Sequence, residues 1–111
     1  MKKMNQNIKK KWVKALRSGK YKQGTEALKF TYDGEAEFCC LGVLCDIVGD
    51  KVSIKQNLDI PRNSTLKKVG LPTVDKHDPF YDSDSVVVKL ARFNDGGMSF
   101  NWIASYIDRY L

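Results

Sequence analysis

The chain has 111 residues, of which 42% are hydrophobic and 29% are charged, and its formal net charge is +6. This length suits one domain of ordinary size, and this composition excludes a disordered tail. The sequence contains no run near the roughly 20 apolar residues of a membrane helix and no secretory signal, so we expect a soluble cytoplasmic protein without a membrane partner.

The positive charge is concentrated near the N-terminus. Residues 1–30 contain ten lysine and arginine residues and one acid, a formal charge of +9, whereas the rest of the chain carries −3. This asymmetry predicts an anionic partner, and a nucleotide, a nucleic acid or an acidic protein surface would satisfy it. The alternative is a solvated helix face with surplus lysine, which is common on protein surfaces.

The first predicted element is a helix over residues 7–18, preceded by a frayed segment at residues 1–6. Ile8, Trp12 and Leu16 recur at helical spacing, while basic residues occupy most of the other positions. The glycine that follows the helix suits its C′ position, where a positive φ is easily adopted.

A β-hairpin is predicted next. Leu28, Phe30 and Tyr32 alternate with polar residues, which is the period of a half-buried strand. An Asp-Gly pair at residues 33–34 is typical of a two-residue hairpin turn, and the partner strand is predicted at residues 36–39.

A short, mostly buried helix is predicted over residues 40–48, with a continuous strand as the alternative. Gly42 in this helix permits close backbone approach, which we expect to be to the first helix. Residues 51–81 contain all three prolines and no clear period. We therefore predict an irregular segment there, functional or mobile, with a strand at residues 51–55 and a helical turn at residues 64–68.

Two more helices are predicted at the C-terminal end. Ser83 or Asp84 can cap a helix with an apolar stripe over residues 86–93, and Ser99 can cap a last helix over residues 100–111. The predicted fold is therefore α+β. It is one small domain with about three main helices packed around a short β-hairpin.

Cys39, Cys40 and Cys45 are odd in number and clustered, which excludes a disulfide framework and agrees with a reducing compartment. Either of the first two, with His77 and Asp78, would supply a cysteine nucleophile and its base, but their spacing does not bring them together. Buried core cysteines are the more common case. Because no zinc, calcium or phosphate-loop spacing is present, we expect no metal, no cofactor and no enzymatic activity.

Cations and aromatic residues interleave over residues 12–24, which is typical of a surface that binds nucleotides or nucleic acid. In this pattern Arg17, Lys20 and Lys22 neutralise phosphates, Tyr21 stacks on a base, and Gln23 reads a polar edge. The first predicted ligand contacts are Arg17, Lys20, Tyr21 and Gln23. The alternative for Tyr21 is a contact that anchors the helix to the core.

A second group of predicted ligand contacts lies between the last two helices. It consists of Asn94, Asp95 and Ser99. The plainer role for the first two is to close the tight joint between the helices.

Three blocks of sequence resemble a family of small proteins from bacteriophages and prophages. They read W-x2-ALRSG-x-Y-x-QG at residues 12–24, FCCLGVLCD at residues 38–46 and ND-x-G-x-SF-x2-IA-x2-I at residues 94–107. The resemblance implies a small accessory protein that antagonises a host antiviral system, either by occluding a defence protein or by sequestering a nucleotide-type signal. The alternatives are a nucleic-acid-binding module that uses the basic N-terminal helix, and a cysteine hydrolase.

Overall fold

The computed structural model of the chain describes residues 3–74 and 85–111. It confirms the predicted α+β class, with six helices and one three-stranded sheet among these residues. The helices are α1 (Gln6–Arg17), α2 (Cys40–Val48), α3 (Lys51–Lys55), α4 (Asn63–Val69), α5 (Val86–Asp95) and α6 (Phe100–Tyr110). The strands are β1 (Lys22–Gln23), β2 (Lys29–Tyr32) and β3 (Glu35–Phe38), in the sheet order β1-β3-β2.

Helix α1 begins at an ordered segment. The Asn5 side chain accepts a hydrogen bond from the Ile8 N–H at 3.0 Å, and the Asn5 N–H donates to the Val69 carbonyl oxygen at 2.9 Å. Met4 is buried. The expectation that residues 1–6 are frayed is therefore wrong from residue 4 onward, because a helix cap, a tertiary hydrogen bond and a buried side chain fix the segment.

The predicted hairpin is confirmed, and a third strand extends its sheet. Asp33 and Gly34 have φ of 52° and 81°, the two positive values that a type I′ turn requires. Lys29 pairs with Phe38 at the far end of the hairpin. Strand β1, which pairs in parallel with β3 through Gln23, was not predicted because two polar residues carry no alternating pattern.

Helix α2 is confirmed, and its first turn lies against the residue that precedes β2. A Cβ atom on Gly42 would lie 1.7 Å from the Leu28 carbonyl oxygen, so the two backbones are in contact. The expectation that Gly42 approaches the first helix is therefore wrong. Helix α1 instead contacts α2 through Trp12, whose indole N–H donates to the Cys40 carbonyl oxygen at 2.8 Å.

The segment predicted to be irregular contains two helices. The strand predicted at residues 51–55 is wrong, because these residues form α3, and its N-cap Asp50 accepts a hydrogen bond from the Ser53 N–H at 3.1 Å. The helical turn predicted at residues 64–68 is confirmed as part of α4. The remainder of the segment, from residue 75 onward, lies outside the described residues.

A buried carboxylate joins α3 to α4. Asp50 accepts hydrogen bonds from the hydroxyls of Ser53 and Thr65, and it forms an ion pair with Arg62 at 2.8 Å. Burial alone would raise the pKa of Asp50, but these hydrogen bonds outweigh it and hold the pKa well below its ordinary value of 3.8. The carboxylate is therefore ionised at neutral pH and ties the two helices together.

Helices α5 and α6 form the predicted C-terminal pair. Ser99 caps α6 as predicted, by accepting a hydrogen bond from the Trp102 N–H at 3.2 Å. Ser85 precedes α5 at the N-cap position. Ser83 and Asp84, the residues predicted to cap this helix, lie outside the described residues.

One hydrophobic core holds the elements together. Its largest fully buried side chains belong to α1, α2, α4, α5, α6 and the residue before β2, and they include Trp12, Leu28, Leu41, Leu44, Leu66, Leu90, Ile103 and Ile107. Helices α1 and α6 pack side by side across it. In the part of the chain that the structure describes, every helix is too short or too polar to cross a membrane.

Candidate anion-binding site

Helix α1 has one buried apolar face and one exposed basic face. Trp12, Val13 and Leu16 are buried in the core. The cations at the remaining positions are mostly exposed, and together with the lysine that follows the helix they form what we call the basic surface: Lys10, Lys11, Lys14, Arg17 and Lys20. Five of the ten cations among residues 1–30 thus form one exposed surface on this helix and its C-terminal extension.

A shallow cleft, called here the α1 cleft, lies where the chain leaves this helix. It has a volume of about 260 Å³ and is lined by Lys11, Lys14, Ala15, Ser18, Lys20 and Tyr21. Gly19, with a φ of 76°, reverses the chain so that it returns alongside α1. Among the described residues, three lysines and no carboxylate line the α1 cleft, so its lining favours an anionic ligand.

Tyr21 is fixed at the edge of the α1 cleft. Its hydroxyl donates a hydrogen bond to the Asp46 carboxylate of α2, and its ring packs edge-on against Phe38 with 5.0 Å between centroids. Burial and the hydrogen bond to Asp46 raise the pKa of Tyr21 to about 12, so its hydroxyl stays protonated at neutral pH. Tyr21 therefore anchors the chain to the core, which was the alternative role predicted for it, and it also lines the α1 cleft.

Arg17 lies apart from the α1 cleft. Its guanidinium donates a hydrogen bond to the Ser105 hydroxyl of α6 at 3.1 Å and remains exposed. It thus occupies the border between α1 and α6. The predicted grouping of Arg17 with Lys20 and Tyr21 is an arrangement along one surface and not around one pocket.

The side chain of Gln23 is turned into the protein. Its amide nitrogen donates to the Asn94 side-chain oxygen at 3.0 Å and to the Met98 carbonyl oxygen at 2.7 Å. Its amide oxygen accepts a hydrogen bond from the Phe100 N–H at 3.1 Å. The polar groups that were predicted to read a ligand are therefore used to hold β1 against the α5–α6 joint.

Asn94 is the centre of the same buried network. Its side-chain oxygen also accepts a hydrogen bond from the Cys40 N–H at 3.1 Å, and its amide nitrogen donates to the Gly24 carbonyl oxygen at 2.7 Å. Asn94 is 1% exposed. This geometry favours the plainer of its two predicted roles, which is to close the joint.

Asp95 and Ser99 also make internal hydrogen bonds. Asp95 accepts one from the Glu26 N–H at 2.9 Å, where Glu26 has a positive φ of 72°. Ser99 is the cap of α6. The second group of predicted ligand contacts thus has clear structural roles, and the α1 cleft does not include it.

The three cysteines are buried thiols. Burial raises the pKa of Cys39 to about 11, that of Cys45 to about 12, and that of Cys40 well above its ordinary value. Such thiols are protonated at neutral pH and are poor nucleophiles, which favours a core role. His77 and Asp78, the predicted base and its partner, lie outside the described residues.

A second, smaller concavity of about 140 Å³ lies between α5 and the loops that flank β2 and α3. Its charged lining residues are Glu26, Asp59, Arg92 and Asp95. Because acids outnumber the one arginine, this concavity disfavours an anionic ligand. Over residues 3–74 and 85–111, no group of three or more histidine, cysteine or acidic side chains is placed to hold a metal ion.

An aromatic row on the surface of α6 was missed in the sequence. Trp102 and Tyr110 are 42% and 60% exposed, and Tyr106 lies between them. Phe93 of α5 packs against two of these rings, with centroids 5.1 Å from Trp102 and 5.0 Å from Tyr106. The four-residue spacing of Trp102, Tyr106 and Tyr110 is visible in the sequence, but the sequence does not show that this side of the helix is exposed. We call these four residues the aromatic row.

Comparison with known proteins identifies a family. A family model described as a domain of unknown function, DUF8296, matches residues 4–70, which is more than half of the chain. The matched part includes α1, the α1 cleft and the whole sheet. No curated protein and no solved structure matches the chain.

Proposed function

The chain belongs to the DUF8296 family, and we propose that it acts by binding a phosphate-bearing ligand in the α1 cleft. The observation that carries this proposal is the convergence of three lysines and Tyr21 on one concavity. Lysine ammonium groups attract phosphates, and an aromatic ring offers an apolar surface to a base. A nucleotide is the ligand class that combines both features.

In the cell, this protein would sequester a nucleotide-type signal in the cytoplasm and so antagonise a host antiviral system. The support is the resemblance of residues 12–24, 38–46 and 94–107 to small bacteriophage and prophage proteins. The first of these blocks contains Tyr21 and most of the α1 cleft. Occlusion of a defence protein by the same basic surface is the other form that such antagonism takes.

A nucleic acid is the second candidate ligand. It is favoured by the extension of the basic surface beyond the α1 cleft, through Lys10 and Arg17. A ligand that follows the whole surface would contact several phosphates, and its affinity would fall steeply as salt rises. A nucleotide held in the α1 cleft brings fewer phosphates to the protein, so it would lose less affinity over the same range.

Calorimetric titration tests the cleft. ADP and inorganic pyrophosphate are titrated into the protein at low salt, with ADP expected to bind more tightly because its base adds a contact with Tyr21. In the double variant Lys14→Glu/Lys20→Glu we expect the ADP affinity to fall about tenfold or more. The matched control is Lys51→Glu/Lys55→Glu on α3, which changes the net charge equally at exposed positions.

Failure of the intact protein to bind either ADP or pyrophosphate would contradict phosphate binding in the cleft. An equal loss of ADP affinity in the two double variants would show that ADP responds to the net charge of the protein and not to the α1 cleft. The cellular role is tested by phage plating on bacteria whose antiviral system uses a nucleotide signal. Expression of the chain should restore plaques, and the Lys14→Glu/Lys20→Glu variant should not.

A further inference from the structure

We propose that the aromatic row stacks on the bases of a single-stranded nucleic acid whose phosphates lie on the basic surface. This inference rests on the proposed phosphate binding by α1, and it adds a second surface, on α6, with a different chemistry. The inference restricts the second candidate ligand, a nucleic acid, to single strands, because a base inside a duplex has no face available to a side chain.

The rings of the aromatic row form a continuous strip. Trp102 and Tyr106 are stacked at 17° with centroids 5.9 Å apart, and Tyr106 and Tyr110 are tilted at 44° with centroids 4.7 Å apart. The eight residues from the first ring to the last correspond to about 12 Å of helix.

Cations border this strip. The Arg109 guanidinium lies 5.5 Å from the centroid of the Tyr110 ring. Lys89 precedes Phe93 by one turn of α5, so it lies on the same side of that helix. Asp108 is the one acid of α6, and its helical position is turned about 200° from Tyr106. The strip therefore combines apolar ring surface with positive charge at its edges.

The basic surface and the aromatic row meet at one side chain. Arg17 belongs to α1, and its guanidinium donates to the Ser105 hydroxyl of α6 at 3.1 Å. Trp102 precedes Ser105 by three residues and Arg109 follows it by four, so all three share one face of α6. A strand that leaves the cations of α1 can therefore pass Arg17 and reach the first ring of the row.

The charges decide among possible occupants of the aromatic row. A second copy of the chain would bring like charges together, because the row of each copy is bordered by Arg109 and Lys89. An apolar protein surface would leave these cations without partners. A single strand supplies flat apolar bases to the rings and one phosphate per nucleotide to the cations.

The two tryptophans make the test direct. Trp12 is fully buried and Trp102 is 42% exposed, so a ligand that stacks on α6 quenches the emission of Trp102 alone. An oligothymidylate of about 12 nucleotides, added at low salt, should quench part of the fluorescence of the intact protein. In the Trp102→Phe variant this quenching should disappear.

Affinity is then measured by the anisotropy of a labelled oligothymidylate. The variant Trp102→Ala/Tyr110→Ala should bind it about tenfold or more weakly. The matched control is Tyr32→Ala, since Tyr32 is 72% exposed on β2 and outside the row. Inorganic polyphosphate, which has no bases, should bind both variants and the intact protein equally.

The outcomes separate this inference from the proposed function. If the aromatic variant binds oligothymidylate as tightly as the Tyr32→Ala control while Lys14→Glu/Lys20→Glu loses it, base stacking on α6 is wrong and phosphate binding by α1 stands. If the intact protein does not bind oligothymidylate at low salt, the inference is also wrong. The ADP titration then tests separately whether the α1 cleft binds phosphate. A partner protein would then be the remaining occupant of the row.

Discussion

The side-chain amide of Gln23 donates a hydrogen bond to the side-chain oxygen of Asn94 at 3.0 Å, which joins β1 to the end of α5. The Cys40 N–H donates to the same oxygen, so α2 is joined to them. Each of these three residues comes from a different one of the sequence blocks at residues 12–24, 38–46 and 94–107. The blocks that stand out in the sequence thus meet at one buried point of the fold.

Replacing Asn94 with leucine should destabilise the protein severely. The Gly24 carbonyl, the Cys40 N–H and the Gln23 amide would each lose a partner. Because each buried polar group left unpaired costs about 1–3 kcal/mol, we expect the free energy of unfolding to fall by about 3 kcal/mol or more, measured by urea denaturation. Asn101→Leu, at an exposed position of α6, should change it by less than about 0.5 kcal/mol. A loss in Asn94→Leu as small as that in Asn101→Leu would contradict the structural role of Asn94.

Glycine is required at position 42 for a reason of space. In Gly42→Ala the new Cβ would lie 1.7 Å from the Leu28 carbonyl oxygen, so α2 would have to move away from the sheet. We expect a loss of about 3 kcal/mol or more, or no folded protein in thermal melts. Gly19→Ala meets open space and pays only for its positive φ, about 1–2 kcal/mol. A smaller loss at position 42 than at position 19 would contradict the close contact.

Asp50 should make the stability of the protein sensitive to acid. The pKa of Asp50 in the folded protein lies well below 3.8, whereas that of an unfolded aspartate is about 3.9. Its stabilising contribution is therefore fully present above the unfolded pKa and is lost as the pH falls towards the folded pKa. The free energy of unfolding of Asp50→Asn, measured by urea denaturation, should change less than that of the intact protein between about pH 5 and pH 2. If the free energies of unfolding of the two proteins fall in parallel with pH, other groups cause the acid sensitivity.

The three thiols should be unreactive in the folded protein. A pKa of about 11 for Cys39 lowers the thiolate fraction at neutral pH below that of an ordinary cysteine by about two powers of ten. With dithiobis(nitrobenzoic acid) we expect slow labelling of the native protein and rapid labelling of all three cysteines in urea. One thiol that reacts in the native state as fast as in urea would support the cysteine hydrolase hypothesis.

The elements with a local period were predictable from the sequence, and those fixed by distant contacts were not. The hairpin was readable from its turn at residues 33–34, and α6 from its cap at Ser99. Strand β1 was not, because Gln23 is held in place by Asn94, which is far away in the sequence. Residues 51–55 alternate like a strand, but they form a helix that Asp50 caps and joins by an ion pair to Arg62, a contact that the alternation does not reveal.

The candidate site was predictable to the extent that it lies on one continuous stretch of chain. Lys20 and Tyr21, both predicted as ligand contacts, line the α1 cleft. Lys11 and Lys14 were not singled out, because the side of α1 along which the chain returns depends on the turn at Gly19 and on the position of β1. The direction of a side chain such as Gln23, inward or outward, is likewise a property of the packed sheet.

The indole proton of Trp12 lies on the buried face of α1, on the side of the helix opposite the basic surface. It is sealed in the core by its hydrogen bond to the Cys40 carbonyl oxygen. It can exchange with deuterated solvent only when α1 lifts away from α2. A ligand in the α1 cleft also contacts Tyr21, which is hydrogen-bonded to Asp46 of α2, so it binds the closed state and slows this opening by a factor of about one plus its concentration over its Kd. Each kind of bound anion should therefore slow the exchange of this one proton by a factor that reports its affinity.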